Sequence, residues 1–328
     1  MNLFALTCGR KMANCEILTK EALMGAEEMG VNVEMLRLQD LNIEHCKICW
    51  PAPCMIRKDN KCVIDDDGYY LREKILECDG MIIAAPVYTL TPPGYLLTIR
   101  DRLLGPRMDI ASLGQVKKNQ GIDDRFEHNM SIDDRIFKKR VGGFISVGGA
   151  PKRNWVSLGI PLLYTLTFSL QVEIVDQFQV LGVAEDGAIV LEKDRIKRAR
   201  RLGKNIGKAM KNMQQEVTYM GDDKGTCPVC HQNLMVMGNE SYIECAICGI
   251  KGYLSIDDGK ITVDFPEVER SKSILKYEGK LTHHNEISEV MEKFLSNKHK
   301  LPELIEKYKQ YESPLISPPG KSKNSSVS

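Results

Sequence analysis

Residues 78–102, CDGMIIAAPVYTLTPPGYLLTIRDR, contain the stretch of sequence that decides the fold. Within it, residues 80–88 carry no charged side chain, as expected for a β-strand covered on both faces. Similar runs occur at 2–7, 141–150 and 172–183, with a weaker one at 31–38. Amphipathic segments at 14–29, 69–77 and 192–215 alternate with these runs. The alternation predicts an α/β fold, an open parallel sheet with helices on both faces.

The composition indicates a folded protein without a global electrostatic preference. The chain has 328 residues, of which 43% are hydrophobic and 27% charged, and its 45 basic and 44 acidic residues leave a formal net charge of +1. Because so small a charge gives no overall attraction to nucleic acid or to an anionic membrane, we expect neither as a partner. The length predicts one large domain with smaller additions.

Neither the N-terminal residues nor the apolar stretches indicate membrane targeting. Residues 1–7 have no basic segment before their short apolar run, unlike a signal peptide. The longest uncharged stretch, 154–172, contains Pro161 and several hydroxyl side chains, and it predicts a buried helix rather than a membrane span. We therefore expect a cytoplasmic protein. In that compartment clustered cysteines bind metal more often than they form disulfides.

Three regions depart from the strand and helix alternation. Residues 105–140 are polar and contain IDD twice, and a segment of this length is typical of a functional lid or a partner surface. Residues 225–265 form short alternating segments, with a hairpin turn expected at 257–260. Residues 285–312 have the character of a charged helix, and 313–328 that of a disordered tail.

The loop after the first predicted strand, TCGRKMANC at 7–15, has the features of a phosphate site. It leads into a predicted helix, whose N-terminus offers free N–H donors and a partial positive charge, and Arg10 and Lys11 add two cations. An ordinary turn with Asn14 as the helix N-cap remains the alternative. No G-x-G-x-x-G follows this strand, and GKNIGKA at 203–209 lacks the spacing and the hydroxyl residue of a P-loop.

Two stretches resemble the flavodoxin-fold FMN reductases. Residues 7–15 resemble their phosphate loop, and residues 78–102 resemble, with higher specificity, the family's segment around PVY. The resemblance implies a flavodoxin-like sheet that binds FMN, whose N5 carries the chemistry, so that no catalytic side chain is expected. It implies a phosphate site lined by Cys8, Arg10, Asn14 and Cys15, a flavin wrapped by Pro86, Val87, Tyr88 and Thr89, and an isoalloxazine edge against Gly148 and Gly149. Because Cys8 and Cys15 replace hydroxyl residues, we expect a weaker hold on the phosphate. Taken alone, PVY also fits a buried strand that ends in a turn.

The first cysteine group, Cys46-x2-Cys49-x4-Cys54-x7-Cys62, offers four thiolates within seventeen residues. Such a set can bind an Fe–S cluster or a zinc ion. Together with CVIDDDGYYLREKILECDG at 62–80, it resembles the iron–sulfur flavoproteins, a branch of the same family. The resemblance implies a [4Fe–4S] cluster and a homo-oligomer. Zinc, or a thiol set without metal, remain the alternatives.

The second cysteine group combines Cys227-x2-Cys230 with Cys245-x2-Cys248. Two such pairs, separated by a turn-rich segment, present four thiolates to one tetrahedral ion. The surroundings resemble a zinc ribbon, in which the metal supplies folding free energy to a small domain. The alternative is an iron site similar to that of rubredoxin.

Residues 193–211 carry nine basic side chains against one acidic residue, Asp194. They could track a phosphate backbone, or they could form the solvated face of the last helix of the sheet. No aromatic residues interleave with them, so the solvated face is the preferred interpretation.

These features predict an FMN-dependent oxidoreductase of the iron–sulfur flavoprotein type. Electrons from ferredoxin or NAD(P)H would pass through the [4Fe–4S] cluster and FMN to a small acceptor, with Tyr88 and residues 105–140 shaping the acceptor site. An electron carrier without its own substrate, or a redox-sensing regulatory protein that uses the ribbon, are the alternatives. The expected domains are the flavin domain 1–216, the ribbon 217–266, the helical extension 267–312 and the tail 313–328.

Overall fold

A computed structural model describes residues 1–49, 54, 59, 61–105, 108–120 and 131–311 of the chain. By compactness the chain separates into a large unit, Met1–Thr282, and a second unit, His283–Ser328. The predicted tail at 313–328 lies outside the described residues.

Five parallel strands form the central sheet of the large unit, in the order β2-β1-β3-β4-β5. Their bounds are β1 Asn2–Thr7, β2 Asn32–Arg37, β3 Gly80–Val87, β4 Arg140–Gly148 and β5 Val172–Val180. The order is that of flavodoxin-like sheets, and it reverses direction between β1 and β3. The predicted open parallel sheet is confirmed.

Helices cover both faces of this sheet, as predicted. They are α1 Asn14–Glu27, α2 Gly68–Glu77, α3 Gly94–Ile99, α4 Ile110–Asn119, α5 Gly159–Leu163, α6 Lys193–Lys211 and, beyond the sheet, α7 Glu267–Ser271. On one face Leu18 of α1 and Leu202 of α6 share a buried cluster with Ile82 of β3. On the other face Ile75 of α2 and Leu96 of α3 share a second cluster with Ile83.

The contact between α1 and α6 depends on glycine. A Cβ on Gly203 would overlap the carbonyl oxygen of Ala22, and a Cβ on Gly25 would overlap the carbonyl of Arg200. Gly203 and Gly25 therefore let the two helix backbones approach closely, which accounts for the first glycine of GKNIGKA without a bound phosphate.

A second, antiparallel sheet of four strands follows in the order β6-β7-β8-β9. Its strands are β6 Met235–Met237, β7 Tyr242–Cys245, β8 Lys251–Asp257 and β9 Lys260–Asp264. Asp257 pairs with Lys260, and Asp258 and Gly259 between them have φ of 46° and 69°. This is the expected hairpin, with the backbone of a primed turn.

Two helical segments differ from their predictions. The polar segment 105–140 contains α4, which the sequence pattern missed; Asp109 caps this helix by accepting a hydrogen bond of 2.7 Å from the Ser112 N–H. In the segment 154–172, residues 159–170 are mostly buried as predicted, whereas Trp155 is exposed. Its helix is short, since α5 is followed directly by a 3-10 turn, Tyr164–Leu166. Residues 106–107 and 121–130, with the first IDD, lie outside the described residues.

The predicted charged helix at 285–312 is observed as two helices. These are α8 Tyr277–Asn297 and α9 Leu301–Gln310, with a 3-10 turn, Lys298–Lys300, between them. Among the helices that the structure describes, none is both long and apolar enough to span a membrane.

Candidate functional site

A cavity of about 380 Å³ is formed by the loops that follow β1, β3, β4 and β5. This edge of the sheet, where the strand order reverses, is the place at which open α/β sheets bind ligands. Seven of the predicted flavin residues line the cavity: Arg10, Asn14, Cys15, Pro86, Val87, Tyr88 and Gly149. The other three, Cys8, Thr89 and Gly148, are sequence neighbours of lining residues rather than part of the wall.

The N-terminus of α1 forms one end of this cavity. Its N-cap is Ala13, not Asn14, and Ala13 has no side chain that could accept from the amides of the first turn. Glu16 reaches back instead and accepts a hydrogen bond of 2.9 Å from the N–H of Met12. An N-terminus without a side-chain cap, beside Arg10, has the chemistry of a phosphate site.

Asn14 ties this end of the cavity to the loop after β5. Its amide nitrogen donates to the carbonyls of Val183 and Glu185 at 3.3 and 2.9 Å, and its amide oxygen accepts from the Ile189 N–H at 3.1 Å. These bonds shape the cavity wall. The phosphate contact that the resemblance implies for Asn14 stays a prediction.

The two cysteines of the phosphate loop are buried and neutral. Burial raises the pKa of Cys8 to about 11 and raises the pKa of Cys15 further. The amide of Gln39 lies 3.6 Å from the sulfur of Cys8. Both thiols therefore stay protonated near neutral pH and act as small apolar side chains in the loop.

The loop after β3 presents Tyr88 on the cavity wall. The Tyr88 N–H donates to the carbonyl of Thr91 at 3.1 Å, and the Leu90 N–H donates to the Tyr88 carbonyl at 3.0 Å. Leu90 has a φ of 65° in this tight turn. The Tyr88 side chain is 61% exposed, so one aromatic ring of the wall is accessible to a second molecule.

Close packing explains the two glycines after β4. A Cβ on Gly148 would overlap the side chain of Val156, and a Cβ on Gly149 would lie 3.0 Å from the Cβ of Ala184. Larger residues would push apart the walls that the loops after β4 and β5 contribute. The cavity thus combines apolar and aromatic walls with an anion-binding helix end, and this donor and wall chemistry fits FMN.

The first cysteine group occupies a loop whose two ends are joined by hydrogen bonds and an ion pair. The buried Asp66 accepts from the Glu44 N–H at 2.9 Å and from Arg102 at 3.0 Å, while Arg102 also donates to the Glu44 carbonyl at 3.0 Å. Asp67 accepts from the Asn42 N–H at 2.7 Å. We call Asp66, Asp67 and Arg102 the clasp.

The clasp holds residues 42–44 against residues 66–68, so the loop between them is anchored at both ends. Its four cysteines, Cys46, Cys49, Cys54 and Cys62, are half-buried. Residues 50–53, 55–58 and 60 of the loop lie outside the described residues. Four half-buried thiols in one anchored loop have the donor chemistry of a metal or cluster site.

The second cysteine group converges on one point. The four sulfurs of Cys227, Cys230, Cys245 and Cys248 lie within 4.8 Å of one another, and all four side chains are buried. Facing pairs are separated by 3.6 Å, Cys227 to Cys248, and 3.5 Å, Cys230 to Cys245. With metal–sulfur bonds of about 2.3 Å, a tetrahedral ion needs sulfurs about 3.8 Å apart. The set therefore fits one metal ion, and it is too compact for a four-iron cluster.

The first knuckle of this metal group, Cys227–Cys230, is fixed to the central sheet. The carbonyl of Cys230 accepts hydrogen bonds from the Tyr164 hydroxyl at 2.6 Å and from the amide of Gln177, on β5, at 2.9 Å. Tyr164 packs edge-on against Phe144 of β4, with ring centroids 4.9 Å apart. Movement of the knuckle is thus coupled to the core of the sheet.

The basic face of α6 is paired with acidic residues. Arg198 binds the buried Asp176 and also Asp222, Arg200 binds Glu21 and Glu28, and Lys204 binds Glu28. Since these cations already have protein partners, the pattern supports a solvated structural face rather than a phosphate-tracking stripe.

The loop after β5 also contributes to the cavity, although the sequence pattern did not predict it. Ala184 and Asp186 line the cavity, and Asp186 pairs with Arg10 at 2.7 Å. The sequence contains a pattern that could have identified this loop. Gly182 and Gly187, both at positive φ, bracket this segment at the carboxyl end of a predicted strand, where ligand-binding loops occur.

Comparisons with known proteins found one matching family model and several similar proteins. The family model of NADPH-dependent FMN reductases matches residues 1–154. A flavone synthase of Aspergillus candidus is 29% identical over 296 residues, which are 88% of this chain and 89% of that protein. An iron–sulfur flavoprotein of Methanosarcina thermophila is 32% identical over 141 residues, 43% of this chain and 59% of that protein.

Among solved structures, a flavone reductase superposes with a TM-score of 0.75 at 28% identity, covering 97% of this chain and 100% of that chain. The fold, the cavity and these matches define a flavodoxin-like, FMN-dependent oxidoreductase. More specifically, residues 1–154 are similar to the NADPH-dependent FMN reductases, whose family model they match.

Proposed function

We propose that the chain passes electrons through FMN between NAD(P)H and a planar, conjugated acceptor of the flavone class. The observation that carries this proposal is the likeness to a flavone reductase over nearly the whole of both chains, ribbon and C-terminal helices included. The flavone synthase relative, aligned over 88% of the chain, supports the same class of small molecule.

The residues of the cavity have binding and orienting roles in this proposal. FMN, when bound, supplies reversible electron transfer at its isoalloxazine ring. Arg10 and the N-terminus of α1 would hold its phosphate, and the loops around Val87 and Gly149 would enclose the ring. The accessible ring of Tyr88 offers an aromatic surface to a planar acceptor. No side chain is assigned as nucleophile or base.

Steady-state oxidation of NADPH by the FMN-loaded protein, with and without a flavone, tests the proposal. We expect flavone-dependent oxidation under anaerobic conditions. Tyr88→Ala should lower kcat/KM for the flavone about tenfold, whereas Tyr88→Phe should retain most of it. Tyr253→Ala, on the exposed face of β8, is a matched control that should have no effect. Equal NADPH oxidation with and without flavone would contradict the acceptor assignment.

NAD(P)H is the preferred donor because the matching family is NADPH-dependent. Reduced ferredoxin is the second candidate, since a half-buried thiol set within the flavin domain suits one-electron transfer. Supplying each donor separately to the anaerobic protein distinguishes them. A protein that accepts electrons but reduces no small acceptor would be the electron carrier considered as the alternative.

For the first cysteine group we propose a [4Fe–4S] cluster held by Cys46, Cys49, Cys54 and Cys62. The iron–sulfur flavoprotein relative and the anchored loop support it. Metal analysis of anaerobically purified protein should give iron and acid-labile sulfide in equal amounts. Zinc without sulfide, or no metal beyond that of the second group, would contradict the cluster.

For the second cysteine group we propose one structural zinc ion on Cys227, Cys230, Cys245 and Cys248. The short sulfur–sulfur distances and full burial support a single closed tetrahedral site. Recovery of iron at this site, with the absorption spectrum of a rubredoxin, would replace zinc by the alternative.

We also propose the domain division at 1–216, 217–266, 267–312 and 313–328, and a cytoplasmic homo-oligomer that binds neither membrane nor nucleic acid. The family resemblance supports the oligomer, and the paired cations of α6 argue against a nucleic-acid partner. Sedimentation of the flavin-loaded protein and a low-salt titration with nucleic acid test these two expectations.

A further inference from the structure

The end of the flavin cavity at Arg10 contains a carboxylate as well as a cation. Arg10 Nη2 lies 2.7 Å from Asp186 Oδ1, and both residues line the cavity. Their side chains are 67% and 48% exposed, so the pair is open to exchange with solvent or with another anion.

Asp186 is held in place from inside the protein. Asn14 binds the carbonyls of Val183 and Glu185 and the N–H of Ile189, on either side of Asp186 in the chain. Gly187, at a φ of 76°, makes the turn that follows. Because this short loop is fixed at both ends, Asp186 cannot withdraw far from the cavity when an anion enters.

A bound phosphate would therefore compete with Asp186 for the guanidinium of Arg10. The phosphate group carries one to two negative charges near neutral pH, and it would share the same end of the cavity with the carboxylate. Riboflavin, which has no phosphate, would meet neither the competition nor the repulsion.

We propose that Asp186 is a specificity residue of the flavin cavity, which lowers the contribution of the phosphate to binding and so reduces the preference for FMN over riboflavin. The inference rests on the proposed binding of flavin in this cavity. The consequence is a flavin that exchanges with the medium more readily than an unopposed phosphate site would allow.

The test is a titration of the apoprotein with FMN and with riboflavin, followed by quenching of flavin fluorescence. Asp186→Asn should bind FMN about three- to fivefold more tightly than the native chain, as expected for removal of one partly exposed charge, and riboflavin with unchanged affinity. The gain should shrink at high salt. Asp194→Asn makes the same charge change on the exposed start of α6, outside the cavity, and should alter neither affinity.

A second variant makes the coupling measurable. Arg10→Gln should weaken FMN binding more in the Asp186→Asn background than in the native chain, since Arg10 is then free for the phosphate. Weaker FMN binding by Asp186→Asn would mean that the carboxylate positions Arg10 for the phosphate, and would overturn the proposal. So would an equal change for both flavins. If the native chain binds neither flavin, the proposed function fails together with the role of Asp186. If the native chain binds flavin but Asp186→Asn does not bind FMN more tightly, only the role of Asp186 fails.

Discussion

Arg102 and Asp66 form an ion pair in which both side chains are only 2% exposed, with Arg102 Nη2 3.0 Å from Asp66 Oδ1. The same two side chains bind both main-chain groups of Glu44, so the pair also closes the root of the cysteine loop. A buried charge that loses its partner is costly, because little water can replace the lost interaction.

Arg102→Met should therefore destabilise the protein by about 3–5 kcal/mol, measured as the free energy of unfolding in urea. Metal bound by Cys46–Cys62 should fall with it, because residues 42–44 would no longer be held against residues 66–68. Arg100→Met removes an arginine from an exposed pair with Asp101 and should change stability by less than about 0.5 kcal/mol. Equal effects of the two variants would argue against a structural role of the clasp.

Gly203→Ala should destabilise the protein by about 3 kcal/mol, because the added methyl group would enter the space of the Ala22 carbonyl. The measurement is again chemical unfolding. Gly94→Ala, at the start of α3 and with no atom near the new methyl group, should be neutral or slightly stabilising. A stable Gly203→Ala variant would show that α1 and α6 can separate without loss of packing elsewhere.

Cys227→Ser should remove the metal of the second cysteine group and lower the thermal stability of the protein. The four buried thiols are brought together at a point that only a bound ion would stabilise fully. Metal content should fall from about one ion per chain at this site to near zero. Cys78→Ala, which alters a buried thiol that donates to the Ile75 carbonyl, should leave the metal content unchanged.

Because Lys280 is buried, we expect the free energy of unfolding to rise at alkaline pH. Burial lowers the pKa of this lysine to about 8, from 10.5, although carboxylates of Asp109 and Glu278 lie nearby. Between these two values the unfolded chain holds a proton that the folded chain has released, so the free energy of unfolding increases with pH in this window, by about 3 kcal/mol in all. Relative to Lys280→Met, the native chain should therefore gain stability between pH 8 and 10.5. A constant difference between the two proteins would contradict the shifted pKa.

Much of the central fold could be predicted because buried parallel strands leave an unmistakable pattern. Residues 80–88 and 141–150 are uncharged throughout, since helices cover both of their faces, and the observed strands end within two residues of the predictions. The helix α4 was missed because Ile110 and Leu113 are embedded in a polar segment. The hydrophobic periodicity of a helix can be recognised in a sequence only when apolar residues repeat over more than one turn.

The site residues that directly follow predicted strands could be predicted from the sequence. The contacts between loops that are distant in the sequence could not. The positions of Arg10 and Tyr88 on the wall follow from the carboxyl ends of β1 and β3. The pairing of Arg10 with Asp186 joins residues far apart in the chain, and no local pattern encodes it. The role of Asn14 was likewise hidden, because its three hydrogen bonds go to a loop about 170 residues away.

The hydrogen bonds from Tyr164 and Gln177 to the carbonyl of Cys230 set a limit on how freely this protein can be divided. A chain that stopped at residue 216 would leave the Tyr164 hydroxyl and the Gln177 amide without that acceptor, beside the edge strand β5 of the sheet that carries the flavin loops. The ribbon thus completes the buried hydrogen bonding of the flavin domain. The two domains therefore have to be inherited, expressed and engineered together.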